Sequence, residues 1–384
     1  MNNDLEMTKM IDNTIKRFVQ IHALVSYPPS NLNRDEMGRP KTAVMGGKQR
    51  LRVSSQSIKR AWRESEVFSD AFSGKVGFRT RRIGEMVKEA LVSGRSLLSV
   101  LEGADSNPVN PPMDEKAADA WARLVAGSFA KVDSDSLMTK QLVHLSHDEI
   151  AAVDLYIAEA AKSGVAPKIE MSKKNEKSEK AAIELMKPIS DVDIALFGRM
   201  LADSPQNSVD AAAQVAHPIT IHPVVVEDDY FTAVDDLNAA AEETGAGHLG
   251  VSEYGAGVFY TYVCVNRELL IENLGGDADL ANRAIRALVE CVAKVGPKGK
   301  QNTFASRVYA SYLLVEQGNQ QPRSLASAFM SPFTSENYIA EGVSKLRNER
   351  DNLNKVYGAC SDVSAEMCVS EGAGSLAEIL ESVN

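Results

Sequence analysis

At 384 residues the chain is longer than one small domain requires, and 44% hydrophobic with 24% charged residues is a composition that excludes a disordered or fibrous protein. No apolar run approaches a membrane span, and MNNDLEMTKMIDNTIKR has no signal-peptide core, so the expectation is a cytoplasmic protein with no membrane partner. The formal charge of −10 is unevenly spread, because residues 39–63 alone carry eight Lys or Arg and no acid, which leaves the other 359 residues at −18.

In chain order, residues 1–16 read as a polar N-terminal arm. RFVQIHALVSY (17–27) places Val19, Ile21, Ala23 and Val25 on one side, which predicts a strand with one wholly apolar face, ended by Pro28 and Pro29. His22, on the mixed face, reads as a satisfied polar residue. The basic stretch follows. Gly46-Gly47 suits a tight turn; Lys48 lies next to it; Arg50, Arg52 and Ser54 alternate with Leu51 and Val53 as a strand with one polar face; and Ser54 begins a helix. A helix start presents unpaired N–H groups to an anion. On that helix Lys59 and Arg63 share a face with Gln56, while Ile58, Ala61 and Trp62 point inward. Two readings stand for the stretch: a solvated basic face paired with the acidic remainder, or a site for a polyanion. The absence of any acid and the glycine turn among the cations favour the polyanion, and a phosphate chain over a single phosphate.

Residues 64–184 read as a helical insertion, with helical spacing over 82–102, 113–132 and 146–163. The last of these has a capping box at Ser146 and Glu149 and a stop at Gly164. MSKKNEKSEK (171–180) reads as a solvated connector. Strand patterning returns at DVDIALFGRM (191–200) and again from Gly255 in GAGVFYTYVCVN. There Val258, Tyr260, Tyr262 and Cys264 face one way and Phe259, Thr261, Val263 and Val265 the other. A helix is expected over 278–295, a strand over 307–315 and closing helices over 337–356 and 374–382. The set predicts an α+β fold with a sheet domain of the ferredoxin or RNA-recognition type.

No enzyme motif is present: no GxxxxGK[ST], GxSxG, HExxH or strand-preceded GxGxxG. His217 and His222, five apart on an extended chain beside prolines, do not make a metal pair. The four cysteines form no CxxC and read as buried thiols. The expectation is a protein with no catalytic residues, no metal and no cofactor. An RNA-processing endonuclease on a related fold is the alternative; it requires a histidine general base, and none of the six histidines lies in the basic stretch.

Several motifs in fixed order carry a family resemblance: LNRDEMGRPKTAVMGGKQRLRVSSQSIKRAWR, SDVDIALFGRM, AHPITIH, DDYFTAVDDL, GAGHLGVSEYGAGVFYTYVCVN and ENLGG. From about Arg17 to Leu325 the chain resembles the CasC family, the guide-RNA (crRNA) binding backbone subunit of the type I-E CRISPR Cascade complex. The resemblance implies a right-hand shape. An RNA-recognition-motif-like, ferredoxin-like palm would comprise 17–63 and 185–360, with helical fingers over 64–184, a β-hairpin thumb over 200–235 within the palm, and a helical C-terminal tail over 361–384. It implies as partners crRNA, target DNA through the guide, further copies of the chain and other Cascade subunits. It places Lys41, Ser54, Gln56, Lys59 and Arg63, among the cations Lys48, Arg50 and Arg52, on the guide backbone. Arg199 and Met200 would lie at the base of the thumb, and Tyr230, Phe231 and Thr232 at its tip beside a flipped nucleotide. The chain departs from the family pattern in 201–211, in the longer arm and in the lysine-rich connector.

Overall fold

The computed structural model describes residues 16–167, 190–201, 205–233 and 248–383. The N-terminal arm, apart from Lys16, and the connector 171–180 lie outside the described residues. The strands are β1 (Phe18–Ser30), β2 (Thr42–Met45), β3 (Lys48–Leu51), β4 (Phe78–Thr80), β5 (Val143–Leu145), β6 (Ala213–Val215), β7 (Ile219–Thr220), β8 (Glu227–Ala233), β9 (His248–Asn266), β10 (Ala310–Gly318) and β11 (Val363–Cys368). Helices of the first half are α1 (Ser55–Arg63), α2 (Glu66–Ala71), α3 (Ile83–Ser93), α4 (Leu97–Glu102), α5 (Glu115–Phe129) and α6 (His147–Ser163). The chain divides into two compact units, Met1–Ala71 with Ala213–Glu268 and Asn282–Asn384, and Phe72–Ala212 with Leu269–Ala281. Among the described residues no helix is long and apolar enough to cross a membrane.

The first unit is built on one antiparallel sheet in the order β11-β10-β1-β9-β6, with β7 and β8 also pairing along β9. β1 is central because both of its faces can be buried. Val19, Ile21 and Ala23 on one face are fully buried. On the other, Leu24 joins Tyr260 and Tyr312 under Leu325, Phe329, Val343 and Leu346. The second face is therefore roofed by the chain that follows β10, including the helix Tyr338–Tyr357. His22 lies under that roof, its Nδ1 bonded to the Tyr260 hydroxyl at 2.8 Å. The core strands and helices run β1, α1, β6, β9, helix Ala278–Lys294, β10, and β1 lies between β9 and β10. All four cysteines are free, buried thiols.

Three sequence expectations change. Pro28 and Pro29 do not end β1. The strand runs on to Ser30 because its pairing with β10 stops at Val25 and its register with β9 shifts between Tyr27 and Ser30, so the missing amides are not needed there. The tail after residue 360 is not purely helical: Val363–Cys368 adds an edge strand to β10 before the helix Leu376–Ser382. DVDIALFGRM is not a strand. Val192–Phe197 is a helix with all six residues buried, and a short run buried on every side carries no period that separates helix from strand.

In the second unit α3, α5 and α6 enclose an apolar core that includes Val87, Leu91, Val125, Phe129, Ile150 and Val153. The expected helix over 82–102 breaks at Gly94, in the left-handed region, and restarts at the Ser96 cap. The capping box of α6 is present, with Ser146 accepting from the Glu149 amide and the Glu149 carboxylate accepting from the Ser146 amide at 2.9 Å.

Candidate nucleic-acid interface

The basic stretch folds as a hairpin leading into α1. Gly46 and Gly47 both have positive φ, 60° and 70°, the geometry of a two-residue turn that matches strand twist, and they join β2 to β3. Past the hairpin the chain is stitched to the sheet: the Leu51 amide donates to Thr220 Oγ1 at 3.1 Å and the Val53 amide to the Pro218 carbonyl at 2.8 Å. Ser54 then caps α1 through its side chain, which accepts from the Ser57 amide. On α1, Ile58, Ala61 and Trp62 are buried, with Gln56 exposed and Lys59 and Arg63 partly exposed.

One residue that sequence reasoning passed over organises the site. Asn33 accepts the Lys41 amide at its carbonyl (2.8 Å) and the Ser54 amide at its side-chain oxygen (2.9 Å), while the Arg52 amide donates to the Lys41 carbonyl (2.8 Å). Lys41, Arg52 and Ser54 are thereby brought together at the base of the hairpin. Lys48 stands at the other end, exposed beside the turn. His217 is a second residue that sequence reasoning did not place. Its Nδ1 accepts from the Ser55 amide at 3.0 Å and lies 3.1 Å from Arg52 Nη1. The Ser55 and Ser57 amides at the start of α1 are thus taken by His217 and Ser54. His222 stacks on Tyr338 with ring centroids 3.9 Å apart and accepts from the Val258 amide.

Two candidate residues are corrected by their surroundings. Arg50 is 4% exposed and donates to the carbonyls of Met45, Thr220 and Phe329, so its guanidinium is an internal tie and not part of a phosphate-facing surface. Arg199, in the second unit, is 7% exposed. Its Nη1 donates to both Glu149 oxygens, at 2.7 and 2.9 Å, and to the His144 carbonyl. It locks the chain after Val192–Phe197 to the first turn of α6. Met200, next to it, is 83% exposed.

The hairpin of the first unit is β8 against the leading half of β9, Glu227↔Tyr254 through Ala233↔His248. The expected hairpin over 200–235 is corrected accordingly: its second strand is supplied by 248–254. Tyr230 and Thr232 are exposed, and Phe231 is 45% exposed. Phe231 pairs with Gly250, and a β-carbon at Gly250 would lie 2.3 Å from the ring, so the ring rests on the glycine backbone. An aromatic held over a cross-strand glycine is positioned without being buried.

The geometry offers a cationic surface, with His217 set beside Arg52 at the start of α1. Of the histidines with described side chains, His22 is buried, His144 and His147 lie on Asp193 and Asp191, His217 is exposed beside Arg52, and His222 is stacked.

A family described as CT1975-like protein matches residues 19–382. Among solved structures, a chain of a "CRISPR RNA-guided surveillance complex, pre-nicking" is 31% identical, with 96% of this chain and 100% of that chain covered and a TM-score of 0.76. A chain of a "CRISPR RNA-guided surveillance complex" is 25% identical with the same coverage and a TM-score of 0.56. No curated protein matches the chain.

Proposed function

The chain belongs to the CT1975-like protein family, and on that footing we propose that it is the non-catalytic, crRNA-binding backbone subunit of a type I-E Cascade complex. The observation that carries the reading is the end-to-end likeness to a chain of an RNA-guided surveillance complex at 31% identity. The sheet order supports it. A strand-helix-strand-strand-helix-strand path whose first strand lies between its third and fourth is the RNA-recognition-motif arrangement, here the palm. The helical second unit supplies the fingers and the β8–β9 hairpin the thumb. The palm site is Lys41, Lys48, Arg52, Ser54, Gln56, Lys59 and Arg63. Tyr230, Phe231 and Thr232 give the thumb a wedge at a kinked nucleotide, and Met200 is an exposed apolar contact for RNA on the second unit. Copies line up along the guide and leave its bases free to pair with target DNA.

The RNA lies along the hairpin base and α1 and not across the sheet face, which the chain after β10 covers. Neutralising three to four phosphates per copy makes log K fall with log salt at a slope of about 2 to 3. Guide RNA co-expressed with the chain is expected to co-purify uncut, and Lys59→Glu with Arg63→Glu to lose it while circular dichroism shows an intact fold. RNA retained by the folded double variant would overturn the reading. RNA cut by the parent and left whole by His217→Ala would favour the endonuclease, because His217 is the histidine that the fold brings to Arg52.

A further inference from the structure

Among the described residues thirteen glycines have positive φ, and so do two residues with a side chain, Lys300 (φ 48°) and Ala305 (φ 49°). A β-carbon is disfavoured in that region and glycine is free there, so a chain that places glycine at thirteen described positions of this kind carries a lysine at 300, where a turn alone does not ask for one. Such residues persist where the surroundings hold them and concentrate at binding sites. The two bracket the single helical turn Gln301–Phe304. The run PKGKQNTFASRVY (297–309) carries Lys298, Lys300 and Arg307 and no acid, in a protein with ten more acids than bases. Lys298 is engaged on Glu64, at 3.1 Å from its carbonyl and 3.5 Å from its carboxylate. Lys300 and Arg307 are exposed, and neither pairs with a carboxylate of the described residues.

The position of the run in the first unit adds the second argument. A β-carbon at Gly299 would lie 2.2 Å from the Leu32 carbonyl oxygen, so the run is pressed on the backbone just before Asn33, the residue that holds Lys41 and Ser54. Phe304 meets Tyr254, at the root of the β8–β9 hairpin, with centroids 6.0 Å apart. The run therefore touches both the hairpin-base site and the hairpin that bears Tyr230 and Phe231.

From this we infer that Lys300 and Arg307 form a further phosphate-binding element for single-stranded RNA, with Lys300 held in a strained backbone because its ammonium is needed at that point. The inference rests on the RNA-binding reading above and adds to it a contact that the basic stretch 39–63 does not contain.

The test uses the full chain, a short fluorescent oligo-uridine and a salt titration. Lys300→Gly removes the charge and the strain together, so the variant should melt at or above the parent's temperature while its slope of log K against log salt falls by about 0.7. That loss is about fourfold in affinity between 1 M and 0.15 M salt. Arg307→Gln should lower the slope similarly, and Lys300→Arg should keep the parent slope. A parent-like slope in Lys300→Gly would overturn the inference. So would a Lys300→Gly variant that melts clearly lower, since the lysine would then be a packing residue. A parent chain that does not bind the probe would instead count against the RNA-binding reading itself.

Discussion

Arg50 and Arg52 are two residues apart with the same strand parity, yet their guanidiniums differ in role. Arg50 is enclosed because the Thr220 and Phe329 carbonyls approach it from distant parts of the chain, whereas Arg52 stays at the rim beside His217. A buried cation on three backbone carbonyls stabilises one conformation and adds nothing to phosphate binding. The same logic governs the polar cluster under the roof of the sheet. Burial keeps the His22 imidazole below its ordinary pKa, with Nδ1 2.8 Å from the Tyr260 hydroxyl and Nε2 3.3 Å from Glu316. For Glu316, burial would raise the carboxyl, but His22 and Arg323 outweigh it and hold it at about 2, with Arg323 donating at 2.6 and 3.2 Å. Both groups bind fewer protons folded than unfolded, so stability rises with pH where they titrate and falls toward acid. His22 begins to withdraw support below pH 6.5. Glu316 follows between about 4.5 and 2, a difference of about 3 kcal/mol. Urea midpoints measured across that range should drop in both windows, and Glu316→Gln should flatten the lower one; an unchanged lower limb in that variant would remove Glu316 from the account.

At the scale of elements, the β8–β9 hairpin continues a sheet strand beyond its partner β1, whose pairing with β9 ends at Ser30↔Gly255. Tyr230 and Phe231 are exposed on that projection, and on the proposed reading they meet the guide RNA. Truncating Phe231 leaves the counterion term untouched, and RNA affinity should fall by no more than about 1 to 3 kcal/mol through lost stacking. Fluorescent adenine analogues along the guide should show periodic unstacked positions with the parent and a flattened pattern with Phe231→Ala. Gly250→Ala should reproduce part of that flattening by lifting the ring, without touching any RNA contact. A periodic signal that persists in Phe231→Ala would make the ring a packing residue and move the wedge elsewhere.

For the whole molecule, charge sets the terms of assembly. Outside residues 39–63 the chain stands at −18, so copies repel one another, and on the proposed reading regular assembly should require guide. Scattering or microscopy of RNA-free protein should show monomers or irregular oligomers; regular RNA-free filaments would argue for a self-assembling protein that uses RNA only incidentally.

How much was legible follows from the range of each interaction. The Gly46-Gly47 turn, the Ser54 cap, the capping box of α6 and the alternation in β1 and β9 are local, set by backbone sterics, caps and periodicity, and the amino-acid order is enough to find them. The charge reversal in 39–63 is a count and needed no fold. Burial of Arg50, the bond of the Ser55 amide to His217, the pairing of Arg199 with Glu149 and the meeting of Phe231 with Gly250 join residues between 19 and 279 positions apart, except that Arg50 also reaches Met45 nearby. The helix Val192–Phe197 was misread for the same reason, since burial on all sides erases the period. Sequence by itself determined which stretches could be strand, helix or cationic surface; only the tertiary structure decided which cations were left on that surface, because a guanidinium faces solvent or a carbonyl according to what the distant chain brings beside it.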